Sequence, residues 1–182
     1  DSSGTLDDTH ATVADSGDVT VLPEADWPRV LINEFVTANA STVADGTGAW
    51  SDWIELYNAS DVAVDLADWT LSDDPDNPDD HTLEPFVLAP GEHLLLWADN
   101  DLSLGPDHLD FSLAREGGTL LLSGPDGRIV DQVDYPVQAQ DVSAARSGDG
   151  GDGWLLTLDV TPGRANADAG LAAGGAVLFP AW

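Results

Sequence analysis

From Trp27 onward the chain is cut into short apolar runs, each closed by a turn signal within roughly 8–12 residues. No segment sustains a 3.6-residue apolar period, so no helix would find an amphipathic face. This punctuation restricts the chain to β-structure closed as a sandwich or barrel. The candidate strands are RVLINEFV (29–36), SDWIELYN (51–58), AVDLADWTLSD (63–73), HLLLWAD (93–99), HLDFSL (108–113), GTLLLSG (118–124), RIVDQVDY (128–135), DVSAAR (141–146) and GWLLTLD (153–159). The turns between them are explicit in NASD, APGE, REGG, GPDG and GDGGDG. GPDG, set between two apolar runs, predicts a hairpin. Composition agrees: there is no Lys or Met and only six Glu, while Val, Leu, Thr, Gly, Pro and Asp dominate.

Alternation sets Ile54, Leu56 and Asn58 on one face of their strand and Trp53, Glu55 and Tyr57 on the other. The looser pattern of Val130–Tyr135 predicts a bulge or an edge, and the runs LLLW and LLL suit strands covered on both faces. Trp53, Trp69, Trp97 and Trp154 lie inside strand patterns with apolar neighbours, so core packing outweighs a sugar-binding aromatic platform. A chain of 182 residues suits one domain with arms. The expected organisation is an acidic arm over 1–27, a β-sandwich of about nine strands over 28–166, and a small-residue linker with an apolar tail over 167–182.

With 34 acids against 5 arginines the formal charge is −29. Arg29, Arg115, Arg128, Arg146 and Arg164 are scattered singly, which excludes simple nucleic-acid binding and attraction to anionic membranes. No stretch reaches the roughly 20 apolar residues of a membrane span. Cysteine is absent, so disulfides and zinc thiolates do not arise. Of the acids 28 are Asp, a bias that turn usage, calcium ligation and a salt-adapted exterior each produce. The first residue is Asp1, so the expectation is either an exported protein whose signal peptide has been removed or a piece of something longer.

Several motifs recur in a fixed order: I-N-E at 32–34, D-W-I-E-L-Y-N at 52–58, L-x-x-W-x-L-S-D-D at 66–74, L-x-P-G at 88–91, G-G-x-L-x-L at 117–122, D-G-x-x-V-D at 126–131 and T-P-G-x-x-N at 161–166. In these the stretch Arg29–Asn166 resembles the lamin tail domain in its bacterial, secreted form. The resemblance implies an all-β fold, an immunoglobulin-like β-sandwich, and a non-catalytic structural, anchoring or interaction role. In bacteria such modules are often appended to secreted hydrolases or spore-coat-like proteins. No heptads accompany the resemblance here, so filament assembly through a coiled-coil rod does not carry over.

No catalytic residues emerge. His10, His81, His93 and His108 stand in no two-ligand spacing and are expected to cap turns or face solvent. There is no nucleophile elbow and no phosphate loop. One acidic stretch, Asp73, Asp74, Asp76, Asn77, Asp79 and Asp80, offers oxygen ligands that can wrap Ca2+. The plainer reading, a solvated loop ending a strand, weighs more. The turn Ser147–Gly153 is a weaker candidate and reads as flexible. Asn58 and Asn166, both in motifs, are expected to bond loop backbone. Asn39 and Asn58 each begin an NAS acceptor pattern for glycosylation.

The tail GGAVLFPAW contrasts with so acidic a body. Burying Val177, Leu178, Phe179 and Trp182 is worth about 1.5–3 kcal/mol per large side chain, so an uncovered tail is an aggregation hazard. It can fold back as an edge strand of its own sandwich or pair with a neighbour's edge. The linker 167–176 reaches about 33–36 Å when extended, enough for either. Val19, Val21 and Leu22 in the acidic arm offer a complementary piece. The expectation is therefore an extracellular, non-enzymatic module that self-associates through its ends as a fibre or surface-layer subunit, with salt- or calcium-dependent assembly. The alternative is an accessory binding or targeting domain of a larger secreted hydrolase.

Overall fold

The computed structural model describes residues 28–166 together with the backbone of Phe179–Pro180. The strands are β1 (Val30–Val36), β2 (Asp52–Asn58), β3 (Val64–Asp65), β4 (Thr70–Ser72), β5 (His81–Thr82), β6 (Val87–Leu88), β7 (His93–Ala98), β8 (His108–Leu109), β9 (Gly117–Ser123), β10 (Ile129–Pro136), β11 (Ser143–Arg146), β12 (Gly153–Thr157) and β13 (Phe179–Pro180). They form a seven-stranded sheet in the order β13-β12-β11-β1-β2-β7-β8, a four-stranded sheet β10-β9-β4-β5, and the pair β3-β6. Pairing is antiparallel apart from the parallel β7–β8 contact.

The two larger sheets face each other. Ile32, Phe35, Ile54, Leu56, Leu96 and Trp154 from the first meet Leu71, Leu120, Leu122, Val133 and Tyr135 from the second in one core. Phe35 stands at the centre, edge-on to Tyr135 at 5.0 Å and to Trp154 at 5.6 Å between ring centroids. All four tryptophans of the strand patterns are buried. The large sheet is also covered on its outer side, where Val36, Trp53 and Trp97 pack with Val43, Leu95 and Val160. That second cover explains why β1 is buried along its whole length.

GPDG forms the expected hairpin between β9 and β10: Gly127 has φ of 76° and its N–H donates to the Gly124 carbonyl at 2.9 Å. β10 is an edge strand with a register shift between Ile129 and Asp131. The expected single strand 63–73 is instead two. After β3 the chain turns through Leu66–Trp69, with Asp68 at a φ of 63°, and β4 joins the opposite sheet. An uninterrupted strand cannot serve two sheets at once. β5, β6 and β13, of two residues each, are too short to show periodicity in sequence.

Candidate functional site

β1 carries a bulge. Ile32 pairs with Leu56 and Glu34 with Glu55, which leaves Asn33 as an extra residue. Ile32 and Phe35 both remain in the inter-sheet core, although three residues apart. An extra residue resets the two-residue alternation, so Asn33 and Glu34 turn consecutively away from that core, toward Glu55 of the adjacent strand. All three are fully buried, because the segment Thr161–Asn166 crosses over them as a strap.

The motif residues are spent on holding that strap. The Thr161 N–H donates to both oxygens of Glu34, at 3.2 and 3.0 Å. Glu55 accepts from the Gly163 N–H at 2.6 Å and from the Asn33 side-chain amide at 2.9 Å. Asn33 also donates to Asp149 at 3.1 Å and accepts from the Gly150 N–H at 3.1 Å. The Asn166 N–H donates to Asp149 at 2.8 Å, and its side-chain amide donates to the Asn33 carbonyl at 3.0 Å. The turn Ser147–Gly153, read as flexible from sequence, is thus pinned to β1 and to the strap through Asp149 and Gly150. His93 Nε2 stands 3.3 Å from Asp149 without hydrogen-bond alignment.

The electrostatics follow from burial. Desolvation pushes Glu55 up to about 8, against the amide donors of Asn33 and Gly163, with Glu34 and Asp149 adding to the rise. Glu34 is raised for the same first reason. Asp149 goes the other way: burial opposes it, but the Asn166 N–H and the Asn33 amide hold it below the usual carboxylate range. Hydrogen-bond parity points to the same state of Glu34. The Thr161 hydroxyl lies 2.7 Å from Glu34 Oε2 and 2.7 Å from Asn166 Oδ1. A hydroxyl donates once, and Asn166 Oδ1 is an acceptor because Nδ2 is committed to the Asn33 carbonyl. The chain closes when Glu34 is protonated and donates to Thr161, which donates to Asn166. Glu34 and Glu55 are covered on both sides and meet no solvent, so the arrangement holds structure rather than presenting a reactive group.

A buried ion pair went unseen in sequence. Arg146 Nη2 bonds both oxygens of Asp131, at 2.9 and 2.8 Å, its Nε donates to the Ile32 carbonyl at 2.7 Å, and its guanidinium lies 4.7 Å from the Trp154 ring. Asp131 Oδ2 in turn accepts the Ile32 N–H at 2.8 Å. The pair bridges β11 in one sheet to β10 in the other. Its only sequence signal was an arginine ending the otherwise small-residue strand SAAR.

Two of the histidines differ from expectation. His81 and His108 are buried, and each points Nδ1 at a carboxylate 2.8 Å away, Asp110 and Asp99 respectively. Both line an open cleft of about 550 Å³ with Thr82, Glu84, Ser103 and Asp110. They could not be read as a pair because β5 and β8 are distant in sequence and lie in different sheets. His10 lies outside the described residues.

Asn58 behaves as expected, its amide donating to the Val62 and Leu88 carbonyls at 2.8 and 2.9 Å. Asn166 bonds backbone too, but that of strand β1. The Asn39 amide is taken by the Val43 and Ser51 carbonyls at 2.7 and 2.8 Å. Both NAS asparagines therefore use internally the nitrogen that would carry a glycan.

The stretch Asp73–Asp80 is a turn-rich loop in which Asp74 and Asp80 each bond within the loop itself. Asp74 accepts the Asp76 N–H at 2.9 Å, Asp80 accepts the Asn77 amide at 2.7 Å, and the Ser72 hydroxyl ties the base by accepting the Asp74 N–H at 2.9 Å. Asp79 is exposed at its end, and Asp73 is half-buried at its start. Among the described residues, the convergent cluster of potential ion ligands lies elsewhere, at Asp45, Asp99 and His108.

Val19, Val21, Leu22, Val177, Leu178 and Trp182 lie outside the described residues, as does the side chain of Phe179. The backbone of Phe179–Pro180 is placed: it pairs antiparallel with β12, Trp154 opposite Phe179 and Gly153 opposite Pro180. Of the two coverings expected for the tail, this is the intramolecular one.

The motifs thus close into one sandwich. A family model for the lamin tail domain matches residues 23–136. The chain belongs to the lamin tail domain family. The family is one of non-catalytic, immunoglobulin-like domains, in keeping with the paired sheets and the internally consumed motif residues. Outside that match, β11, β12 and the strap complete the larger sheet of the lamin tail domain and its outer cover. No curated protein and no solved structure matches the chain.

Proposed function

We propose that this lamin tail domain is an extracellular, non-enzymatic structural module that self-associates by exchanging its C-terminal strand. One observation carries the reading: β13 adds to the β12 edge of the large sheet through only two residue pairs, Gly153 with Pro180 and Trp154 with Phe179. Past β12 the same side of the molecule offers Leu158, 77% exposed. Residues 167–178 separate the strap from β13, and a linker of that length spans about 40 Å when extended. The edge that accepts the chain's own tail therefore accepts an identical tail from a neighbour with the same backbone bonds. Exchange that does not close on itself propagates as a fibre. The formal charge of −29 opposes such packing, so assembly strengthens with salt or with Ca2+ bound at the acidic exterior, Asp73–Asp80 included.

The test compares the full chain with one ending at Ala167, by light scattering and electron microscopy over rising concentration, NaCl and CaCl2. Concentration-dependent growth in the full chain, lost on shortening, supports the proposal. Two monomers under all conditions overturn it and favour an accessory module of a larger secreted protein.

A further inference from the structure

Two neighbouring segments and a third remote in sequence bring metal-ligating atoms together beside the cleft. Asp45 comes from the β1–β2 loop, Asp99 from the end of β7 and His108 from β8. One ligand atom from each lies within 4.8 Å of the other two. The Ser51 hydroxyl is 3.4 Å from Asp45 Oδ2 and 3.4 Å from Asp99 Oδ2.

Asp45 is the informative member. Its Oδ1 is saturated, accepting the Thr47 N–H at 2.8 Å, the Thr47 hydroxyl at 2.7 Å and the Ala49 N–H at 2.9 Å. The Thr47 hydroxyl, foremost among these donors, holds the carboxyl below its usual range. Oδ2 has no comparable partner. Its neighbour is the Ser51 hydroxyl, at a distance beyond the 2.5–3.0 Å of a sound O–H···O bond. The residue is nevertheless only 7% exposed. An ionised carboxylate in a residue so little exposed thus keeps one oxygen with only a long Ser51 contact, in a residue that lies beside a second carboxylate and an imidazole. A polar group so placed is costly unless something else satisfies it.

We propose that Asp45, Asp99 and His108, with the Ser51 hydroxyl, form a binding site for a divalent transition-metal cation of the Zn2+ class. The donor set decides the class. One imidazole nitrogen with two carboxylate oxygens suits zinc, whereas Ca2+ and Mg2+ favour all-oxygen shells. Part of the geometry is close to competent, while Asp45, whose ligand atom lies within 4.8 Å of the other two, closes in by up to about 1.5 Å. Tetrahedral zinc with ligands at about 2.0–2.1 Å sets neighbouring donors about 3.3 Å apart. His108 Nδ1 and Asp99 Oδ2, now 2.8 Å apart, need open only by about half an ångström, a side-chain adjustment. The cation takes the place of the hydrogen between these two atoms, and a neutral imidazole accommodates it by carrying its hydrogen on Nε2 instead. Binding pins the β1–β2 loop to the β7–β8 region, tying together one end of the large sheet.

Isothermal titration of the metal-stripped full chain with ZnCl2, MnCl2 and CaCl2 tests this, with melting followed in parallel. The expected result is one Zn2+ per chain, with a raised melting temperature and Ca2+ bound far more weakly at this site. Asp45→Asn is the decisive variant, because its amide oxygen keeps the Thr47 and Ala49 bonds while the free anionic oxygen is lost. It should weaken Zn2+ by at least ~10–100-fold and leave the metal-free melting temperature nearly unchanged. Asp99→Asn should weaken it similarly, and Asp74→Asn in the acidic loop should not. Visible absorption of the Co2+ form reports ligation independently of stability. Unsaturable zinc binding, equal affinity in Asp45→Asn, or loss of binding only in Asp74→Asn would each overturn the proposal. None of these outcomes bears on tail exchange, which the shortened chain tests separately.

Discussion

Stability should fall as pH rises from 5 to 8, the reverse of the usual trend for an acidic protein held by ionised carboxylates. The cause is Glu55, fully buried beneath the strap, whose carboxyl titrates near 8 in the folded chain against 4.5 as its ordinary value. Below 4.5 both folded and unfolded chains carry the proton, and this group contributes no pH dependence. Between 4.5 and 8 the unfolded chain has lost the proton and the folded chain keeps it, so each added pH unit removes about 1.4 kcal/mol. Across the window the ceiling is about 5 kcal/mol, a large part of a small domain's total stability. Glu34, raised in the same direction, adds to the slope. For a domain of this size the melting temperature should drop by about 3–5 °C per pH unit. The assay is thermal unfolding followed by tryptophan fluorescence at half-unit pH steps, in about 0.5 M NaCl to screen the surface acids. Glu55→Gln loses one of its two amide-donor bonds and is less stable at pH 5, but its curve should be markedly flatter between 5 and 8. A wild-type melting temperature that climbs with pH across this window, or a slope unchanged in Glu55→Gln, would refute the protonated-carboxyl account.

Arg146→Met removes the partner of Asp131 while filling similar space, and stranding that buried carboxylate should cost about 3–5 kcal/mol in urea unfolding. A cost below 1 kcal/mol would mean that the pair does not tie the sheets together. Thr161→Val keeps the shape of the strap but breaks the hydroxyl relay between Glu34 and Asn166, for an expected loss of about 1–3 kcal/mol. Hydrogen exchange at the Gly163 and Asn166 amides should rise in that variant before exchange in β1 and β2 does. Gly117→Ala places a Cβ 2.8 Å from the Tyr135 carbonyl at a φ of 111°, and should destabilise the β9–β10 hairpin by about 2–3 kcal/mol.

Much of the sandwich was written locally. Alternation in Asp52–Asn58, the GPDG turn and the apolar runs are signals between near neighbours, and the structure returns β2, β7, β9, β10 and the β9–β10 hairpin close to where they were expected. The break inside 63–73 was not legible, because whether Asp68 turns the chain depends on which sheet β4 will join. Neither was the bulge at Asn33, whose reason is the outward placement of two consecutive polar residues under a strap more than a hundred positions away. His81 and His108 were misjudged for the same reason: spacing along the chain said nothing of their contacts with Asp110 and Asp99, and still less of Asp45.

The sequence by itself determined an all-β chain, its turns, its apolar strands and the acidity that sets its solution behaviour, since these depend on two-residue periodicity, backbone preferences and summed charge. Only the tertiary structure decided that Glu34 and Glu55 are buried and shifted upward by desolvation, that Arg146 pairs with Asp131, and that Asp45 meets Asp99 and His108. Those properties depend on desolvation and on contacts between remote segments, and neither exists until the sheets have closed and the strap has crossed them.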